Sequence, residues 1–173
     1  MVGDLVDPRR TEPDFVLSER AMLEGWLEYH RVTLLLKCEG LNDEKRKTRP
    51  VATSRLSLHG LVRHMAEVEL GWFQRCIMRD RTVAYLWSVE GAEDSEMVPL
   101  DDAVWEDDLA AWQRECETSR RIAADLSLDA TGLLRNGEAV SLRWVYTHMI
   151  EEYARHNGHA DLIREMIDGS VGV

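Results

Sequence analysis

Apolar positions recur in steps of three and four over four separate stretches of the chain, the spacing that places one buried face on an α-helix. The first stretch carries Leu23, Leu27, His30, Leu34 and Leu41. Ser18 precedes it as an N-cap with Glu19 behind, and Gly40 follows, so a helix is predicted from Ser18 to about Cys38. Residues 42–56 are rich in Asp, Lys, Arg, Thr and Ser, are broken by Pro50, and read as a loop. Ser57 then caps a second helix running to about Arg79, with Leu58, Leu61, Met65, Val68, Trp72 and Cys76 as its seam. A third, about 103–126, repeats Trp105, Leu109, Trp112, Cys116, Ser119, Ala123 and Leu126, and nothing on it suggests chemistry. The fourth starts at Ser141 and ends at Gly169, with a seam of Leu142, Tyr146, Met149, Tyr153, His156, Ala160, Ile163 and Ile167.

The connections carry their own signals. Residues 1–16 are a polar lead-in ending at Pro13-Asp14-Phe15. Residues 80–102 hold Gly91, Pro99 and an acidic run, too long for a tight turn between helices. They predict a crossover anchored by Tyr85, Leu86 and Trp87. Asn136-Gly137 is a type I′ turn signal, and Leu133, Leu134, Ala139 and Val140 around it suggest a small hairpin. Four seams joined this way predict an all-α fold, a four-helix bundle with a long crossover between helices 2 and 3. Residues 1–173 are expected to form a single domain.

Composition narrows the class. The 173 residues are 45% hydrophobic and 31% charged, ordinary for a globular protein. No apolar run approaches the ~20 residues of a membrane span, and the polar N-terminus lacks the pattern of a signal peptide. Net charge is −11, which argues against nucleic acid as a partner. The short basic run Lys45-Arg46-Lys47 with Arg49 reads as solvated loop. Cys38, Cys76 and Cys116 are odd in number and widely spaced, as for reduced, packed thiols, so a cytoplasmic location is expected.

Chemistry concentrates in residues 147–159, where three of the six histidines fall. His148, Glu152 and His156 follow at four-residue spacing and His159 three further on, so they form one drifting stripe. Burying Glu152 and His156 on an apolar seam is costly unless they are paired or bound to a cation. A third ligand from a facing helix would complete a site, and His64, one position off the second seam, is the best-placed candidate. Two imidazoles and a carboxylate suit a divalent metal; a structural salt-bridge network is the alternative. Gly71, on the same face as His64, provides either close helix packing or room for a ligand. His30 reads as a packed core residue.

The segment Leu58-His59-Gly60-Leu61-Val62-Arg63-His64-Met65-Ala66-Glu67-Val68-Glu69 with Trp72 resembles the helix-2 block of the DinB-like superfamily. The run from Trp144 through His148-Met149-Ile150-Glu151-Glu152 and His156-Asn157-Gly158-His159 to Asp168-Gly169 is similar to an actinobacterial-type branch of it. The resemblance implies a four-helix bundle binding a divalent metal through His64, Glu152 and His156. His159 would occupy a Gln-like position, supporting the site together with Arg155. His148 would be a supporting donor or an ordinary packed residue. Glu152 replaces the third histidine of many members, as is implied also by a likeness to the mycothiol-dependent maleylpyruvate isomerase branch. Relatives of this kind act on small molecules with a low-molecular-weight thiol, mycothiol or bacillithiol, in S-transfer or isomerisation, with zinc ahead of nickel as the metal, and often as homodimers. A metal-dependent hydrolase and a non-catalytic stress-associated bundle remain the alternatives.

Overall fold

A computed structural model describes residues 7–89, 91–92, 95–98 and 100–172. It is all-α in class, with four long helices in the expected order and a long connection between the second and third. Pro99 and most of the acidic run of that connection lie outside the described residues. The chain divides into two compact units, one of residues 1–58 with 150–173 and one of residues 59–149.

In the first unit, α1 spans Glu19–Cys38 and begins where Ser18 accepts a hydrogen bond from the Ala21 amide. Gly40 takes a positive φ of 74° after its end, a conformation that costs glycine little. Residues 43–47, expected as loop, instead form a short helix, α2 (Asp43–Lys47), capped by the Asn42 side chain on Lys45. Acidic residues in its first turn and basic ones in its last complement the helix dipole, which makes one turn viable amid charged residues. The last helix, α5 (Leu142–Asp168), contributes its C-terminal half here. Asn157 donates to the His30 carbonyl at 3.0 Å, and Arg164 to the carbonyls of Lys37 and Glu39. Lys37 is 2% exposed, yet its ammonium is paired with Asp161 and donates to the Gly172 carbonyl. His30 is half-buried between Trp26, Tyr29 and Asn157, and burial depresses its pKa.

In the second unit, α3 spans Leu58–Glu69 and passes without a break into a π-helical segment, Leu70–Ile77. Single π turns interrupt α-helices where an extra residue is accommodated; here the Met78 amide reaches back five residues to the Phe73 carbonyl at 3.0 Å. The wider winding shifts the buried face: Leu70, Phe73, Cys76 and Ile77 go to the core, while the seam positions Val68 and Trp72 are only half-buried. α4 (Trp105–Ala124) matches the third predicted helix and buries Trp105, Trp112, Cys116, Ser119 and Ala123. The hairpin forms as β1 (Thr131–Leu133) and β2 (Ala139–Ser141), antiparallel, with Gly132 opposite Val140. A Cβ on Gly132 would stand 2.4 Å from the Cys76 carbonyl oxygen, so only glycine lets the hairpin lie on the end of the π segment. Ser141 accepts from the Trp144 amide and opens α5, and Gly169 closes it at a φ of 79°.

Candidate functional site

One face of α3 and the π segment carries His64, Glu67, Val68, Gly71, Trp72 and Arg75, spaced at helical intervals. In the second unit this face floors an open cleft of about 1170 Å³, walled by Tyr85, Ser88 and Glu96 of the connection and by Leu134 and Arg135 of the hairpin. A Cβ on Gly71 would meet the Tyr85 hydroxyl at 3.3 Å. The room left by the mid-helix glycine is therefore used by a cleft-wall side chain, close packing in service of a cavity.

His64 is half-buried in this wall, its Nδ1 2.8 Å from Glu96 Oε1. An ionised carboxylate can only accept, so His64 Nδ1 donates this bond. The His64 hydrogen bond, ahead of burial, holds the Glu96 carboxyl below its usual range. Metal-binding imidazoles are held by carboxylates in this same manner. Glu67 anchors the connection, one oxygen accepting from the Trp87 and Ser88 amides at 2.6 and 2.9 Å. Neither Glu67 nor Glu96 stood out in the sequence as part of a site. The helical offset of Glu67 from His64 was a visible signal, whereas Glu96 sits in an irregular segment with no periodicity to aim it.

His156 and Glu152 lie in the first unit, 8% exposed and half-buried respectively. His156 Nε2 stands 3.4 Å from Glu152 Oε2. That is longer than a charge-assisted hydrogen bond of about 2.8 Å. Two donors each about 2.05 Å from one tetrahedral ion stand roughly 3.3 Å apart, so the observed spacing suits a shared cation. The donor types of this pair, an imidazole nitrogen and a carboxylate oxygen, suit zinc or a similar divalent ion. His159 Nδ1 is 3.4 Å from His156 Nδ1, with the two rings edge to face. Arg155 is exposed and paired with Glu151 along the helix. His148, in the second unit, is stacked on Trp144 at 4.9 Å and meets Trp72 edge-on at 4.7 Å. Its ring thus packs against both indoles.

α4, which carried no chemical signal, supplies buried Asp108. Its Oδ2 accepts from His59 Nε2 at 2.8 Å, against the edge of Trp105. His59 is fully buried, and its Nδ1 has no partner among the described residues. The cysteines offer no nucleophile. All three are buried and outside any disulfide, and burial raises Cys76 and pushes Cys38 up to about 12.

An all-α chain with an imidazole-lined cleft and a His/Glu pair spaced for a cation defines a class of candidate metal-dependent helical proteins. Residues 22–169 match the mycothiol-S-transferase family, and the chain belongs to that family. No curated protein matches it. The match supports the DinB-like, mycothiol-related resemblance of the sequence. Among the described residues, no helix is long and apolar enough to cross a membrane.

Proposed function

We propose that this chain is a metal-dependent S-transferase that joins mycothiol, or a similar low-molecular-weight thiol, to a small electrophile. His64, Glu152 and His156 would hold the divalent ion, with zinc ahead of nickel. The observation that carries the metal assignment is the 3.4 Å spacing of His156 Nε2 and Glu152 Oε2, which fits two ligands of one ion better than it fits an ion pair. The family match carries the thiol assignment. When bound, such an ion supplies Lewis acidity that keeps a thiol ionised at neutral pH.

The chain's own residues do the positioning. Glu96 fixes the plane of His64, and His159 braces His156. The cleft beside His64 is large enough for a thiol conjugate and an electrophile together. Because burial raises the pKa of Cys38 and Cys76, the attacking sulfur is assigned to the co-substrate. Its proton is released, a carbon–sulfur bond forms, and the leaving group departs with the bonding pair. A single domain, a cytoplasmic location suited to reduced cysteines, and a homodimer complete the proposal; sedimentation tests the last.

The deciding experiment combines metal analysis of the purified protein with an assay of mycothiol, bacillithiol and glutathione against a generic electrophile. Stoichiometric divalent metal and a metal-dependent rate above the uncatalysed reaction are expected. Metal without transfer, but with ester or amide hydrolysis in the absence of thiol, would move the assignment to a hydrolase. Absence of metal would remove both.

A further inference from the structure

The cleft of the second unit is polarised. Among the described residues its acidic lining residues are Glu67 and Glu96, and both gather at Ser88 on the His64 side: Glu67 accepts the Ser88 amide, and the Ser88 hydroxyl lies 3.5 Å from Glu96. The other end holds three arginines, Arg75, Arg81 and Arg135, two of them against one ring. The Arg75 guanidinium lies 4.6 Å from the Tyr85 centroid and that of Arg135 6.0 Å. Arg75 also donates to the Val83 carbonyl, and Arg81 to the Leu133 carbonyl at 2.9 Å. These bonds to backbone oxygen set the positions of two guanidiniums without neutralising them. None of the three forms an ion pair among the described residues. Asp80 spends its carboxylate on the Thr82 hydroxyl and amide at 2.6 and 2.9 Å, and these bonds hold it below the usual carboxylate range. In a chain of net charge −11, three arginines in one cleft with no carboxylate partner among the described residues make a local positive field at that end of the cavity.

We propose that the Arg75, Arg81 and Arg135 end of the cleft is an anion subsite that takes the carboxylate of the electrophilic substrate. The planar guanidinium fork matches a carboxylate in two-point contact. Two guanidiniums set against the same aromatic ring favour a flat anion over a tetrahedral one. Arg75 lies three helical turns beyond His64, roughly 16 Å along the axis, so the anion binds at the far end of the cleft and the reacting carbon extends towards His64. With mycothiol as the thiol, an acetylcysteinyl sugar conjugate with no ionised acid, the electrophile is the partner that bears the charge. This assignment of substrate class rests on the thiol-transfer proposal; the anion subsite itself does not.

Calorimetric titration of the full chain with succinate, its dimethyl ester and inorganic phosphate reads the subsite without any thiol. The expected result is succinate binding, no ester binding, and about a tenfold or greater loss of succinate affinity in Arg135→Gln, as for a charged hydrogen bond. Arg135 is exposed on the hairpin turn, and circular dichroism checks that the variant folds. Arg121→Gln, exposed on α4 outside the cleft, controls for the change in net charge. No heat with succinate, equal affinity for the ester, or equal losses in the two variants overturns the subsite, and preference for phosphate overturns the carboxylate assignment. In the transferase assay, kcat/KM for a carboxylated electrophile should exceed that for its ester, and Arg135→Gln should bring the ratio towards one. Succinate binding with no transfer by any thiol would sink the thiol-transfer proposal and leave the subsite standing; a ratio near one in the wild type would sink the substrate class.

Discussion

Single side chains decide how the two ends of the candidate site behave. Glu96 accepts from His64 Nδ1 and so sets how the imidazole is turned. Glu96→Gln should weaken metal binding by about 10- to 100-fold, measured by competition against a chromogenic chelator, with little change in helical content. Cys38 gives a separate test of burial. Its thiol is pushed up to about 12 in the folded state, against about 8.5 unfolded. A raised folded pKa contributes stability that is fully present below the unfolded value and is lost as pH rises towards the folded one. Denaturant midpoints should therefore fall between about pH 9 and 11, and the fall should be shallower in Cys38→Ala. An identical slope in both proteins would contradict the burial argument. The same buried thiol should resist alkylation until the chain unfolds.

At the level of elements, what was legible depended on how local the cause was. Ser18, Ser141, Gly40 and Gly169 mark real helix ends because a cap is a contact between near neighbours in sequence. The hairpin was legible for the same reason, through Asn136-Gly137. The π segment was not, because a shift of hydrogen-bonding partner from four to five residues has no compositional mark. Gly71 hinted only that something required space. The short α2 was hidden because its charged residues resemble a loop until Asn42 is seen to cap them. Gly132 is the most demanding joint between elements, since its α-carbon has to pass the Cys76 carbonyl. Gly132→Ala should cost about 1–3 kcal/mol in equilibrium unfolding, because the obstructing atom is backbone and cannot swing aside. An unchanged midpoint would mean that the hairpin is free to lift off the π segment.

For the molecule as a whole, the fold class was legible and the cleft was not. Four apolar seams announce four helices whatever their arrangement. The walls at Tyr85, Ser88 and Glu96 come from an irregular connection, where no periodicity tells which way a side chain faces. The histidine and glutamate candidates could be picked out because buried charge on an apolar seam is expensive, an argument that needs no coordinates. If the proposed ion is bound, its removal should lower stability by mass action. An ion held at 100 times its Kd contributes about 2.7 kcal/mol, or roughly 5–10 °C in Tm for a chain of this size. Thermal scans with and without chelator read this directly, and His156→Ala should abolish the difference. A chelator-insensitive Tm in the wild type would remove the metal from the proposal.

The π segment has a further consequence for how such a cleft could be retuned. Each residue of an α-helix turns the chain by about 100°, more than in the wider π winding, so Leu70–Ile77 rewound as ordinary α-helix with no residue lost would swing every later side chain around the axis. His64 lies upstream of the segment and would keep its heading, while Arg75 and the hairpin contact at Cys76 would be redirected. A switch of winding there would thus act as a rotary adjustment between the two ends of the cleft, whereas deletion of one residue together with the π turn would leave both ends facing as they do. Substitutions that favour one winding over the other offer a route to a different substrate preference that leaves the His64 end of the cleft intact.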